Sequence, residues 1–190
     1  MARNTKHLVL TAVFIALILM MTVVPYTGYI NYGLIEITTL HIVVILGAVC
    51  LGWKTGALLG LVWGVTCVMR AFTNPAWILF TNPLISTLPR IFVGAVAGMT
   101  FSALHKRFGD VPAAMAAGVA GTLTNTVLVL SAIQIFGGMI ESYKAFFELF
   151  KTILSTLITV NGGIEMAAAV IIVPVIYRAL QSAGALGYQQ

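Results

Sequence analysis

The chain has 190 residues, 60% of them hydrophobic and only 8% charged, with a mean hydropathy of +1.04 and a formal net charge of +5. Soluble domains carry about 25% charged residues, so a soluble globular fold is excluded, and the apolar runs lack the period-two alternation of a membrane barrel. What remains is an all-α integral membrane protein, in which six transmembrane helices of roughly 20 residues fill most of a single membrane domain, residues 1–190.

The first apolar run follows Arg3 and Lys6 and gives a span over 7–24, too long for a signal-peptide core and ending at Pro25 without a cleavage pattern. Ala12 and Ala16 lie four apart on it, a small-residue face able to receive a partner helix. Residues 25–33, rich in Tyr, Gly and Asn, read as a loop. Spans over 37–52 and 56–71 then form a tight helical hairpin turning at Gly52-Trp53-Lys54-Thr55. Gly56, Gly60 and Gly64 share one face of its second helix, spaced for close backbone approach.

From Arg70 to Leu88 the triplet Thr-Asn-Pro occurs twice, with Trp77 and Phe80 between, which predicts a folded aromatic loop. Pro89 suits the first turn of a helix over 89–106. The next span, 112–136, places Ala113, Ala117, Gly121 and Asn125 along one line. Residues 141–155 alternate Glu141, Lys144, Glu148 and Lys151 against an aromatic face, the pattern of an amphipathic helix on the membrane surface. The last span covers 162–180, with Asn161 and Glu165 one turn apart on the same side.

Basic residues orient the bundle. With the N-terminus inside, the inner segments hold Arg3, Lys6, Lys54, Lys106, Arg107 and Arg178, and the outer ones hold Arg70, Arg90, Lys144 and Lys151, offset by Glu36, Glu141 and Glu148. That bias favours cytoplasmic N- and C-termini.

In this topology Thr38, Thr39, His41, Asn82, Arg90, Asn125, Asn161 and Glu165 gather in the outer half, with Trp63 and Trp77 as aromatic walls. Convergent polar groups within aromatic surfaces fit a small-molecule pocket. Arg90 suits a ligand carboxylate, held by two hydrogen bonds; the alternatives are a salt bridge to Glu36 or Glu165, or an interfacial anchor. Asn125 bonds either a neighbouring helix or a ligand, and His41 is either a structural imidazole or a ligand contact. No metal-binding pair, P-loop or nucleophile motif occurs, so no catalytic residue, metal or cofactor is expected. No basic run suits nucleic acid. A stand-alone secondary transporter would require coupling acids or inverted repeats, of which only Glu165 offers a trace. A lipid-acting membrane enzyme would require a catalytic pair.

The run GLIEITTLHIVVILGAVCLGWKTGALLGLVWG, then PRIFVGAVAG, then GTLTNTVLVL, resembles the substrate-binding S components of energy-coupling-factor (ECF) vitamin transporters over nearly the whole chain. The nearest members by appearance are those for pantothenate, followed by the hydroxymethylpyrimidine type. This resemblance implies high-affinity capture of a vitamin from outside a prokaryotic cell membrane. It further implies association with a membrane coupling protein (the T component) and two ATPase subunits, which supply the ATP hydrolysis. The family's docking motif maps to Ala12 and Ala16. A pantothenate carboxylate would suit Arg90, and its amide and hydroxyls Asn125, Asn161, Thr38 and Thr39.

Overall fold

A computed structural model describes residues 2–32, 35–137, 144, 147–149, 151, 152, 158 and 161–186. Its described helices are α1 (Ala2–Val23), α2 (Leu40–Leu51), α3 (Trp53–Ala71), α4 (Pro83–Phe108), α5 (Asp110–Phe136) and α6 (Gly162–Ser182). The structure is mostly helical, and α1, α4, α5 and α6 are long and apolar enough to cross a membrane. The shorter α2 has all of its residues buried, because α1, α3, α4, α5 and α6 pack around it. The aliphatic run Ile42–Leu46, polar on no side, is what a helix surrounded by other helices requires.

Two features depart from the expected boundaries at this end of the bundle. The span expected over 37–52 begins at Leu40, because Ile35–Thr38 is extended and forms strand β2, paired antiparallel with β1 (Tyr29–Tyr32) in the register Tyr29↔Thr38 to Tyr32↔Ile35. β-Branched and aromatic residues favour that pleated pairing. The hairpin base is tied by Thr39 N–H donating to Gly28 O at 3.0 Å, and by the Thr38 and Thr39 hydroxyls donating to Gly28 O and Thr27 O. The stretch expected to be a loop before residue 89 is largely helical. A 3-10 segment covers Pro75–Thr81, and α4 starts at Pro83, capped by Asn82, whose side chain accepts from Leu84 N–H at 3.0 Å. Two prolines qualify for a first turn, and the Asn82 cap selects the earlier one.

The helical hairpins α2–α3 and α4–α5 each turn over a single glycine. Gly52 (φ 91°) and Gly109 (φ 84°) occupy a backbone region that L side chains rarely adopt. Between α3 and α4 the backbones meet directly. A Cβ on Gly56 would strike Gly94 O, one on Gly60 would strike Arg90 O, and one on Gly64 would strike Thr87 Cα. The predicted small-residue face of α3 is therefore the α3–α4 seam.

The surface helix expected over 141–155 lies mostly outside the described residues. Within it Phe147 is buried against Leu79, Ile85, Val129, Ala132 and Ile133, while Lys151 pairs with Glu148 at 2.8 Å on the exposed side. Gly52, Gly109 and the His105-Lys106-Arg107 end of α4 mark the opposite end of the bundle from β1–β2.

Candidate ligand-binding site

Arg90 is placed by its own helix. Pro89 sits inside α4 and has no N–H to give the carbonyl of Ile85, one turn earlier. The Arg90 Nη1 group donates to that carbonyl instead, at 2.8 Å. A freed backbone acceptor in a membrane helix needs such a replacement, and supplying it fixes the guanidinium. The group is 6% exposed and lies between the Trp63 ring (5.2 Å) and the Phe80 ring (5.5 Å). Its Nε has no partner. Of the carboxylates, Glu36 and Glu165 are close enough to sense its charge, yet no described carboxylate lies within ion-pair distance of it.

The salt bridge considered for Arg90 belongs to Arg70. Its guanidinium meets both Glu36 oxygens, Nη1 to Oε2 at 3.0 Å and Nη2 to Oε1 at 2.5 Å. The plane of Arg70 lies over the Tyr29 ring (4.0 Å) and beside Trp77 (5.3 Å). The hairpin is thereby fastened to the end of α3. Burial raises the Glu36 carboxyl above its ordinary value, and Arg70, then Arg90, offset this only in part. Burial likewise raises the Tyr29 phenol well above 10. That hydroxyl accepts from Trp63 Nε1 at 3.1 Å and bonds Cys67 Sγ at 3.0 Å.

On the other side of the hairpin α6 and the residue before it hold the free edge of β2. Asn161 Nδ2 donates to Glu36 O at 2.8 Å, and Glu165 Oε1 accepts from Thr38 N–H at 2.7 Å. Residues 36 and 38 of a strand present their backbone groups to the same side. The two side chains, one turn apart, therefore complete the strand edge as a third strand would. The Asn161 Oδ1 atom remains buried without a partner. His41, in the first turn of α2, is fully buried near the Thr38 and Glu165 backbones, and neither ring nitrogen makes a hydrogen bond of good geometry. On α5 Asn125 is 7% exposed with Oδ1 unpartnered. Thr122 completes the set.

Among the described residues, every buried side-chain nitrogen or oxygen without a hydrogen-bond partner belongs to His41, Arg90, Thr122, Asn125 or Asn161. Folded proteins leave few such groups, and each one calls for a reason. Here they come from four different helix segments, α2, α4, α5 and the start of α6. Of the sequence candidates, Arg90 lies over Trp63, Asn161 and Glu165 share the edge of β2, His41 lies near the Glu165 backbone, and Asn125 is buried on α5, one turn beyond Gly121. Trp77 packs on Arg70 instead, Asn82 caps α4, and the Thr38 and Thr39 hydroxyls bond the hairpin base. Arg70 and Tyr29 were absent from the candidate set, and Glu36 entered it as a possible partner for Arg90 rather than for Arg70. Buried hydrogen-bonding groups left without partners, one of them a guanidinium, are the chemistry that suits a polar ligand with an anionic group.

Residues 6–177 match the family described as the substrate-specific component of ECF transporters. The chain belongs to that family. A pantothenic acid transporter of Lactococcus lactis subsp. cremoris is 35% identical over 162 residues, covering 77% of this chain and 78% of that protein. A pantothenate transporter of Leuconostoc mesenteroides is 36% identical over 115 residues, 56% of each chain. As an ECF substrate-specific component the protein is a multi-pass membrane protein that takes a vitamin as substrate and works with membrane partner subunits. Its family is that of a substrate-binding component rather than an enzyme.

Proposed function

We propose that this ECF substrate-specific component binds pantothenate, with Arg90 holding the carboxylate and Asn125, Asn161 and His41 bonding the amide and hydroxyls. The supporting observation is a buried guanidinium that no carboxylate pairs among the described residues, with further unpartnered buried polar atoms on α2, α5 and the start of α6, together with the substrate named for two relatives. Trp63 and Phe80 flank the guanidinium and keep water from competing for it. Glu165 and Thr38 hold the adjoining wall, and Thr39, Asn82 and Trp77 support the elements around the mouth.

The chain spans the membrane of a prokaryotic cell six times with both termini inside, which turns the chamber outward. It delivers its vitamin by docking to a T component served by two ATPases. Ala12 and Ala16 suit that docking. Phe14 and Ile18 point α1 into the core, and the alanines, two positions away and therefore near the opposite face, are exposed. Replacing both by Leu should abolish ATP-dependent uptake in vesicles containing the partner subunits while leaving pantothenate affinity unchanged.

Titration calorimetry of the ligand-stripped protein tests the substrate. Pantothenate should bind tightly, and Arg90→Ala should weaken it by about 100-fold or more, the scale of a buried charge-assisted pair. The alcohol analogue pantothenol should lose far less. Equal losses would remove the carboxylate from Arg90, and heat only with a neutral pyrimidine or pyridine vitamin would replace the substrate.

A further inference from the structure

Thr122 stands apart from the other hydroxyls of the bundle. In a membrane helix a hydroxyl ordinarily donates to the carbonyl one turn back, as Thr11, Thr22, Ser102 and Thr124 do here, at 2.7–2.8 Å. Thr122 does not: it is 0% exposed and its Oγ1 has no partner at all.

The packing of α5 gives its position. A Cβ on Gly118 would meet Ala169 O at 3.1 Å, and α5 and α6 run antiparallel. One turn onward along α5 and one turn back along α6 bring Thr122 level with Glu165. On the adjacent side a Cβ on Gly121 would meet Ile45 of α2 and Ala97 of α4, the latter at 3.3 Å. One turn back along α2 from Ile45 is His41. Thr122 therefore lies level with Glu165 and one turn further from the hairpin end than Asn125. From Ala97 back to Arg90 the distance along α4 is roughly 10 Å at 1.5 Å per residue, and the guanidinium reaches further, to Ile85 O.

We infer that Thr122 is the specificity-determining residue at the deep end of the site, its unpartnered hydroxyl hydrogen-bonding the hydroxyl-bearing end of the ligand while Arg90 holds the acid. The inference deepens the pantothenate reading and rests on it. Pantothenate is an extended molecule with its carboxylate at one end and its hydroxyls at the other, matching the order of Arg90 and Thr122 along the bundle. A site that hydrogen-bonds a substrate hydroxyl rejects the analogue lacking it, because the site's buried polar atoms are then left unpaired.

The test titrates wild type, Thr122→Val and Thr122→Ser with pantothenate and with an analogue whose terminal hydroxyl is replaced by hydrogen. Wild type should prefer pantothenate over the analogue by about 10-fold or more. Thr122→Val should lose that preference by weakening pantothenate alone, and Thr122→Ser should keep it. Pantothenate affinity within about twofold of wild type in Thr122→Val, or an equal loss for both ligands, overturns the inference and leaves the substrate reading standing. If Thr122→Val fails to fold, wild type and Thr122→Ser decide, and a wild type indifferent to the hydroxyl overturns it. A wild type silent with pantothenate overturns the substrate reading and the inference together.

Discussion

Gly60 ties the packing of the bundle to its chemistry. A methyl group there would land on the backbone carbonyl of Arg90 and 3.0 Å from the Ile91 Cα, where carbon atoms pack at about 3.5 Å or more. The carbonyl contacts are closer still, so Gly60→Ala must separate α3 and α4 by on the order of 1 Å. Backbone atoms cannot rotate away, and overpacking of this kind costs about 1–3 kcal/mol. The displacement falls on the residue carrying the guanidinium, and a shift of about 1 Å spoils a two-point hydrogen bond to a carboxylate. Pantothenate affinity should fall by about 10-fold along with the melting temperature in detergent. Gly163→Ala is the control: a Cβ there meets nothing within 4 Å, and the helix propensity of Ala should leave it neutral or more stable by up to about 1 kcal/mol. If Gly60→Ala matched wild type in both melting and affinity, the α3–α4 seam would not position Arg90.

Two further predictions concern the hairpin. Glu165→Ala removes the acceptor of the Thr38 amide, so hydrogen exchange at Thr38 should accelerate about 10-fold or more, while Thr39, bonded to Gly28 O, changes little; equal acceleration at both would mean that the whole hairpin had come loose. For Glu36, burial outweighs Arg70, so the folded carboxyl titrates above its ordinary 4.5. The folded state holds this proton at higher pH than the unfolded chain does, and the group's contribution to stability falls as pH rises through the raised value. Glu36→Gln, fixed uncharged, should therefore gain on wild type in melting temperature between about pH 4 and about pH 8. A gap that narrows or reverses over that range would show the Arg70 pairing to be the stronger effect.

The membrane class, the tight turn at Gly52 and the buried line Ala113, Ala117, Gly121 and Asn125 were legible because each rests on helical spacing or on glycine's backbone freedom. Arg90, Asn161, Glu165 and His41 were legible as polar residues in apolar surroundings. The β-hairpin was not: its strands are four residues each, too short for alternation to register, and their partner is identified only by pairing. The start of α4 was misplaced because Pro83 and Pro89 both suit a first turn, and only the Asn82 cap and the Arg90 bond to Ile85 O decide between them. Thr122 escaped notice because it is offset by one position from the small-residue line, toward α6, and a threonine in an apolar helix usually bonds its own backbone.

The seam between α3 and α4 has a mechanical consequence. Helices meeting through long side chains slide by exchanging rotamers, but Gly56, Gly60 and Gly64 set backbone against backbone, and a one-turn ratchet would drive those surfaces through each other. The α3–α4 pair, which carries Arg90, is accordingly stiff against sliding. The facing wall is joined to the hairpin by two side-chain hydrogen bonds, from Asn161 and Glu165, and such bonds break and re-form at little net cost. Across the hairpin, then, one side is locked backbone against backbone and the other is held by side-chain hydrogen bonds.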